Sequence, residues 1–276
     1  MKDNTRIAQT LLITAACAAV FVLYFFGKTV PKPKQVTVTE TVEDHSDHNH
    51  SSTANTNDWQ IEAEASLSAD DMEQLKQLKS NNFSGIAAFW ANRKRHDIAA
   101  IFKNKFAEAQ SDFRNWDTSG DAAIVAFRAD PQDSVKATFF INQALQAYSN
   151  ALILEDNITT KLKLAKVQTE ITGQTMEGVV LLREIVDADP NHIQANYELG
   201  ALSIRSGQWE KAIQRFTTVI KADPNLIDAY VLKAQSLIQL EQRDEALATL
   251  RTALENTGSP EVIDAINEMV NNIEKN

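Results

Sequence analysis

The sequence is poor in the residues that break or cross-link a chain. It contains 8 glycines, 6 prolines and 1 cysteine in 276 residues. Few glycines and prolines favour helices over turn-rich sheets. A single thiol excludes an intramolecular disulfide, a CxxC redox pair and a cysteine-based zinc site within one chain. This composition is ordinary for a helical globular protein.

Signatures of catalysis are lacking as well. The sequence has no GxSxG, GxxxxGK[ST], HExxH or GxGxxG motif, and His96 and His192 are isolated. The net charge of −10, from 37 acidic and 27 basic residues, is unfavourable for neutralising phosphates. We predict a protein that is not an enzyme, has no cofactor and does not bind nucleic acid.

One long apolar run lies near the N-terminus. After a short tail, residues 1–6, the segment 7–27 reads IAQTLLITAACAAVFVLYFFG. A helix of this length spans about 30 Å, the thickness of a bilayer's hydrocarbon core. Its bulky end, Tyr24 to Phe26, does not suit signal-peptide cleavage. We interpret 7–27 as an uncleaved transmembrane anchor that places the protein on a lipid bilayer; the nearly balanced Lys and Arg on its two sides leave the orientation open.

The next segment, residues 28–66, has almost no apolar periodicity. No Lys or Arg occurs between Lys34 and Lys76, whereas Asp, Glu, Ser, Thr and Asn are frequent. This composition predicts a disordered acidic linker. Imidazoles bind transition metals, but a flexible tract does not preorganise its ligands. The linker histidines are therefore only weak candidates for a metal site: His45, His48 and His50.

Helical patterns resume at Ser68, which is followed by acidic residues and is typical of a helix N-cap. Apolar residues three and four positions apart predict amphipathic helices within 67–117, before the repeats. After Pro260 the same kind of pattern predicts a C-terminal capping helix within 259–276.

A 34-residue period organises the second half of the chain: Gly173-Gln174 recurs as Gly207-Gln208, and Ala188-Asp189-Pro190-Asn191 recurs as Ala222-Asp223-Pro224-Asn225. One small position and one large position keep the same spacing. The repeated residues that we expect to be structural are Ala144, Tyr148, Gly173, Gly178, Leu182, Pro190, Leu199, Gly200, Gly207, Ala212, Phe216, Pro224, Ala246 and Leu250.

This pattern resembles the tetratricopeptide repeat (TPR) family. The resemblance covers residues 118–258 and implies a divergent helix pair at 118–157, followed by regular pairs at 159–192, 193–226 and 227–258. A TPR helix pair cannot bury its apolar face alone, so neighbouring pairs must stack. The resemblance therefore implies an all-α fold, an α-solenoid of about three to four helix pairs.

The resemblance also implies where a partner binds, because the first helices of TPR pairs line a concave groove that suits a peptide or a helix. Tyr197 and Arg205 are the residues expected to contribute most. A clamp for a terminal carboxylate is not expected, since Val167 and Ala201 stand where asparagines are needed. The expected groove residues are Lys163, Val167, Glu170, Tyr197, Ala201, Ile204, Arg205, Val231, Gln235, Ile238 and Gln239.

The combination of anchor, tether and repeats is similar to bacterial inner-membrane TPR proteins whose repeats lie in the periplasm, such as ancillary subunits of translocon, outer-membrane assembly or cytochrome maturation machinery. That similarity implies a single-pass scaffold that binds other proteins at the cell inner membrane. Two alternatives stay open. One is a docking receptor on an organelle with cytosolic repeats, and the other is a metal or cofactor delivery protein that uses the linker histidines.

Overall fold

A computed structural model describes residues 55–78, 80–173 and 175–275, and these residues form helices without any strand. From α3 onward the helices follow one another as pairs, each packed on the pair before it. The helices are α1 (Thr56–Ala65), α2 (Ala69–Gln77), α3 (Phe83–Asn92), α4 (His96–Ala109), α5 (Phe113–Ala129), α6 (Ser134–Leu154), α7 (Ile158–Lys166), α8 (Thr175–Ala188), α9 (Ile193–Arg205), α10 (Trp209–Ala222), α11 (Ile227–Gln239), α12 (Arg243–Glu255) and α13 (Pro260–Lys275).

None of the helices within these ranges is both long enough and apolar enough to cross a bilayer. The predicted anchor at 7–27 lies outside the described residues. So do the tail at 1–6 and the linker histidines, His45, His48 and His50.

The predicted disordered linker, residues 28–66, is wrong at its end, because α1 occupies residues 56–65. Asn55 caps this helix, and its side-chain oxygen accepts a hydrogen bond from the backbone N–H of Asn57 at 3.2 Å. The Trp59 ring packs edge-on against Phe139 of α6, with 5.4 Å between ring centroids. Ala63 is the other contact of α1 with the core and is fully buried. Two apolar contacts do not make the stripe by which a helix is found in sequence.

The region at 67–117 contains α2, the start of α5 and a complete helix pair, α3–α4, that the repeat pattern does not indicate. The turn of this pair is built like the later ones, since Lys94 has φ 60°, Gly207 has φ 70° and Glu241 has φ 60°. After Lys94, the N–H of Arg95 donates to the carbonyl of Trp90, five residues earlier, at 3.1 Å. The residues after Gly207 and Glu241 form the same hydrogen bond to the carbonyl five residues before them. The stack therefore begins one pair earlier than predicted.

The divergent pair also begins earlier than residue 118. Its first helix, α5, starts at Phe113, where the Asp112 carboxylate accepts a hydrogen bond from the N–H of Asn115 at 2.8 Å. Its second helix, α6, places Ala144 and Tyr148 in the core, with exposures of 0% and 2%. The regular pairs are α7–α8, α9–α10 and α11–α12, and α13 covers the end of the stack by burying Ile266.

The core runs along the stack as successive apolar clusters, as expected when each pair contacts only its neighbours. Small residues allow the helices to approach closely: a Cβ atom at Gly178 would lie 2.8 Å from the carbonyl oxygen of Ala165 on α7. Large residues fill the space between helices, and Phe216 and Leu250 are fully buried. The alternation of small and large residues is thus what fixes the distance between neighbouring helices.

The first helix of the third pair differs from the others because α7 continues as a π-helix over Val167–Thr172. A π-helical turn accommodates one residue more than an α-helical path. Gly173 and Gly207 are 34 residues apart, whereas the buried Leu164 corresponds to Leu199, 35 residues later. Residues of α7 are therefore displaced by one position from the sequence period.

Candidate partner-binding face

The first helices α7, α9 and α11 of the last three pairs present a row of partly or fully exposed residues. On α9 these residues are three and four positions apart, so they lie on one side of the helix. We call this surface the first-helix face. It consists of Lys166, Glu170, Glu198, Ala201, Arg205, Gln235 and Gln239.

Polar contacts cross this face from the α7 segment to α9. The ammonium of Lys166 lies 3.7 Å from the carboxylate of Glu198 and 3.7 Å from that of Glu170. The Arg205 guanidinium donates to the carbonyl oxygen of Thr169, in the π-helix, at 3.4 Å. The face therefore carries charges of both signs between α7 and α9, and amide side chains on α11.

Tyr197 lies next to this face and is fixed by packing. Its ring meets that of Phe216 edge-on, with 5.8 Å between centroids and 79° between planes. Burial raises the pKa of the Tyr197 hydroxyl, and the nearby carboxylates of Asp228 and Glu198 raise it further. The side chain is therefore a neutral phenol at physiological pH.

Two overlapping segments, residues 171–225 and 203–266, match the family model of the tetratricopeptide repeat. Together they contain the turn glycine Gly207, the small residue Ala212 and the large residue Phe216, in the structural roles described above. Residues 171–266 are tetratricopeptide repeats.

Solved structures resemble this stack of helix pairs. A crystal structure of MamA aligns with a TM-score of 0.52 and 18% identity, covering 63% of this chain and 89% of MamA. MamA 41-end from Desulfovibrio magneticus RS-1 aligns with a TM-score of 0.51 and 17% identity, covering 63% of this chain and 92% of that one. YrrB, described as a TPR protein with an unusual peptide-binding site, aligns with a TM-score of 0.47 and 17% identity, covering 72% and 97%. No curated protein matches the chain significantly.

The groove residues expected on α9 and α11 of the TPR array are all partly or fully exposed. Ala201, Arg205, Gln235 and Gln239 lie on the first-helix face. The other four also contribute to the core. Tyr197 and Ile204 pack with the cluster of Phe216, while Val231 and Ile238 pack with the cluster of Leu250.

On α7 the expected groove residues need correction. Val167 is 4% exposed and belongs to the core, so it does not line an open groove. Lys163 points to α5, where its ammonium lies 2.9 Å from both Asp117 and Asp121. Glu170 does lie on the first-helix face. The extra residue of the π-helix shifts Val167 out of the position that the period assigned to it. Lys163, which lies 35 residues before Glu198, instead faces α5, the first helix of the preceding pair.

Sequence reasoning missed Lys166 and Glu198. A spacing of 35 residues, which the π-helix imposes on α7, makes Lys166 the counterpart of Ala201. Glu198 lies three residues before Ala201, which was predicted to line the groove, so helical periodicity alone could have found it. No signal in the sequence announces the π-helix itself.

Over 55–78, 80–173 and 175–275, no three or more His, Cys, Asp and Glu residues are grouped so that they could hold a metal ion. His192 caps α9, since its ring nitrogen Nδ1 accepts the N–H of Ala195 at 3.3 Å. That the protein is not an enzyme and has no cofactor stays a prediction.

Proposed function

We propose that the protein is a membrane-anchored scaffold that binds another protein, as a peptide or a helix, on the first-helix face of its TPR array. The observation that supports this proposal most directly is the arrangement of side chains on α9. The small side chain of Ala201 lies between Glu198 and Arg205, so the centre of this surface has little side-chain volume and its borders carry opposite charges. A segment with complementary charges can approach the helix closely at that point.

The packing behind this face supports the proposal. Tyr197 is held by Phe216, and Arg205 is held by the carbonyl of Thr169. Binding to side chains that are already ordered loses little conformational entropy, which favours affinity. The glutamines of α11, Gln235 and Gln239, add donors and acceptors for the backbone of an extended partner.

The test is a bulky substitution at the centre of the face. Ala201→Arg should abolish the capture of cross-linked partners in intact membranes, detected by mass spectrometry. Ala248→Arg is the matched control, because Ala248 is an exposed alanine on the second helix α12. Equal capture by Ala201→Arg and Ala248→Arg, with unchanged helical content, would contradict binding on this face.

We further propose that the scaffold works in assembly or secretion at the bacterial inner membrane, with the repeats in the periplasm. The support is the apolar segment 7–27 and the resemblance to anchored periplasmic TPR proteins. A chain with Cys17→Ser and Gln110→Cys carries one exposed cysteine, in the turn after α4. We expect an impermeant maleimide to label it in cells whose outer membrane has been permeabilised. Labelling only after the inner membrane is opened would exclude the periplasm and favour repeats that face the cytosol.

A further inference from the structure

A short acidic helix already occupies one groove between the second helices of neighbouring pairs. Helix α1 lies between α4 and α6, where its Trp59 packs on Phe139. The ammonium of Lys136 lies 5.6 Å from the centroid of the Trp59 ring. All charged residues of α1 are acidic: Asp58, Glu62 and Glu64. This side of the stack thus holds an acidic segment by one inserted aromatic ring and a lysine.

The corresponding groove two pairs later, between the second helices α8 and α10, holds no helix from the part of the chain that the structure describes. A cavity of about 390 Å³ opens there, with α9 as its floor. Met176 and Val179 of α8 form one apolar wall, and Leu199 and Leu202 of α9 form the base. Met176 is 69% exposed and lies beside the partly exposed Val179, so the rim offers apolar surface next to the cavity.

The polar lining of this cavity has one sign of charge. Arg183, Lys211 and Arg215 line it, and no described lining residue is acidic. Arg215 is fixed by a hydrogen bond of 2.9 Å from its Nη1 to the side-chain oxygen of the buried Asn196. Within the described ranges, none of the three cations forms an ion pair with a carboxylate. In a chain with a net charge of −10, such a cluster selects a negatively charged partner.

We infer that the cavity between α8 and α10 is a second binding site, which takes an acidic segment of a partner protein with one bulky apolar side chain inserted. The apolar side chain meets Met176, Val179, Leu199 and Leu202, while carboxylates on both sides of it pair with the three cations. The site lies between second helices and does not include the first-helix face, so the scaffold has two surfaces for partners.

The experiment uses the full chain in detergent and a set of fluorescent peptides. Each peptide has a central Leu, Met, Phe or Trp, flanked on both sides by two glutamates. Fluorescence anisotropy should show binding of at least one of them, which weakens at high salt. Peptides with Lys in place of Glu, or with Ser at the centre, should bind about tenfold more weakly or not at all.

Variants of the protein then locate the site. Arg183→Glu with Lys211→Glu should weaken peptide binding at least about tenfold. Lys221→Glu with Arg243→Glu makes the same change of charge at exposed residues outside the cavity and should leave binding nearly unchanged. Ala201→Arg should also leave it unchanged, which separates this site from the first-helix face.

Several outcomes would overturn the inference. One is that no acidic peptide binds more tightly than its lysine counterpart, and another is that both double variants weaken binding equally. A third is that the full chain self-associates in sedimentation experiments and that Arg183→Glu with Lys211→Glu abolishes this, since a second copy would then be the occupant. Circular dichroism must show the same helical content for all variants.

Discussion

The ammonium of Lys163 lies 2.9 Å from the carboxylate of Asp117, an ion pair that joins the first regular TPR pair to the pair before it. The same ammonium lies 2.9 Å from Asp121, whose carboxylate also accepts the Tyr148 hydroxyl at 2.9 Å. Burial alone would lower the pKa of the Lys163 ammonium, but its hydrogen bonds to Asp121 and Asp117 raise this pKa above the usual value. A lysine that the repeat pattern places in the groove is therefore part of the junction between α5, α6 and α7.

Replacing this lysine should destabilise the stack. In Lys163→Met, Asp117 and Asp121 lose their shared cation and repel each other, so we expect the free energy of unfolding to fall by about 1–2 kcal/mol. Urea denaturation at neutral pH measures this change. Lys221→Met, at an exposed lysine of α10, is the control. A loss no larger than that of the control would show that the ion pair contributes little.

Gly200 tests the close packing inside a regular pair. A Cβ atom there would lie 2.8 Å from the Phe216 ring, which is fully buried. In an exposed helix Gly→Ala is stabilising by about 1 kcal/mol, but overpacking costs about 1–3 kcal/mol. We expect a net loss of about 1 kcal/mol for Gly200→Ala, measured by urea denaturation.

The control for Gly200 is Gly258, where a Cβ atom would meet nothing within 4 Å. Gly258→Ala should be neutral or slightly stabilising, because alanine has fewer conformations than glycine in the unfolded chain. If Gly200→Ala were as stable as Gly258→Ala, the helices α9 and α10 would be less closely packed than the structure indicates.

The sequence predicts the second half of the fold well, because at several positions there the helix packing accepts only one size of side chain. Only small side chains fit where Gly178 and Ala212 lie, and only large ones fill the place of Phe216, so the period is visible. In the first half the same geometry is built from less distinctive residues. Lys94 adopts the left-handed turn conformation that Gly207 adopts later, and no motif marks it.

The candidate face is less predictable than the fold, because side-chain direction changes with every residue of register. The π-helix after α7 moves Val167 into the core and brings Lys166 to the face, although the 34-residue period of Gly173 and Gly207 is intact. A periodic sequence fixes where helices turn, whereas one extra residue between turns changes which side chains are exposed. The α9 and α11 helices have no such insertion, and there the expected residues remain at the surface.

Asp97 gives the stack a defined dependence on pH. Its carboxylate lies 3.0 Å from Arg95 and 3.4 Å from Lys136 of α6. Burial alone would raise the pKa of the Asp97 carboxyl group. The hydrogen bond from Arg95 and the charges of Arg95 and Lys136 outweigh burial and lower this pKa. A depressed pKa means that the stabilisation is present above the unfolded value, about 3.9, and is lost as pH falls through the folded value.

Asp97→Asn should therefore be less stable than the unchanged chain by about 1 kcal/mol near neutral pH, and the difference should shrink below about pH 4. Urea denaturation over a series of pH values measures both. Asp264→Asn, at an exposed position of α13, is the control. A difference for Asp97→Asn that is the same at acidic and neutral pH would exclude a contribution from its ionisation.

The packing of Trp59 tests whether α1 belongs to the folded array or to the predicted linker, residues 28–66. Its ring is in contact with two aromatic rings of α6, with centroids 5.4 Å from Phe139 and 5.9 Å from Phe140. Truncating a partly buried tryptophan with such contacts lowers the free energy of unfolding by about 2–3 kcal/mol. Because Trp59 is the large side chain of α1 that packs on the core, beside the small buried Ala63, Trp59→Ala should release the whole helix, whereas Trp59→Phe should retain most of its packing. Hydrogen exchange of the amides of 56–65 is the direct measurement: we expect fast exchange in Trp59→Ala and protection in Trp59→Phe. If these amides stay protected in Trp59→Ala, other contacts hold α1. If they exchange freely in the unchanged chain, the tether extends to residue 66, as its composition alone suggests.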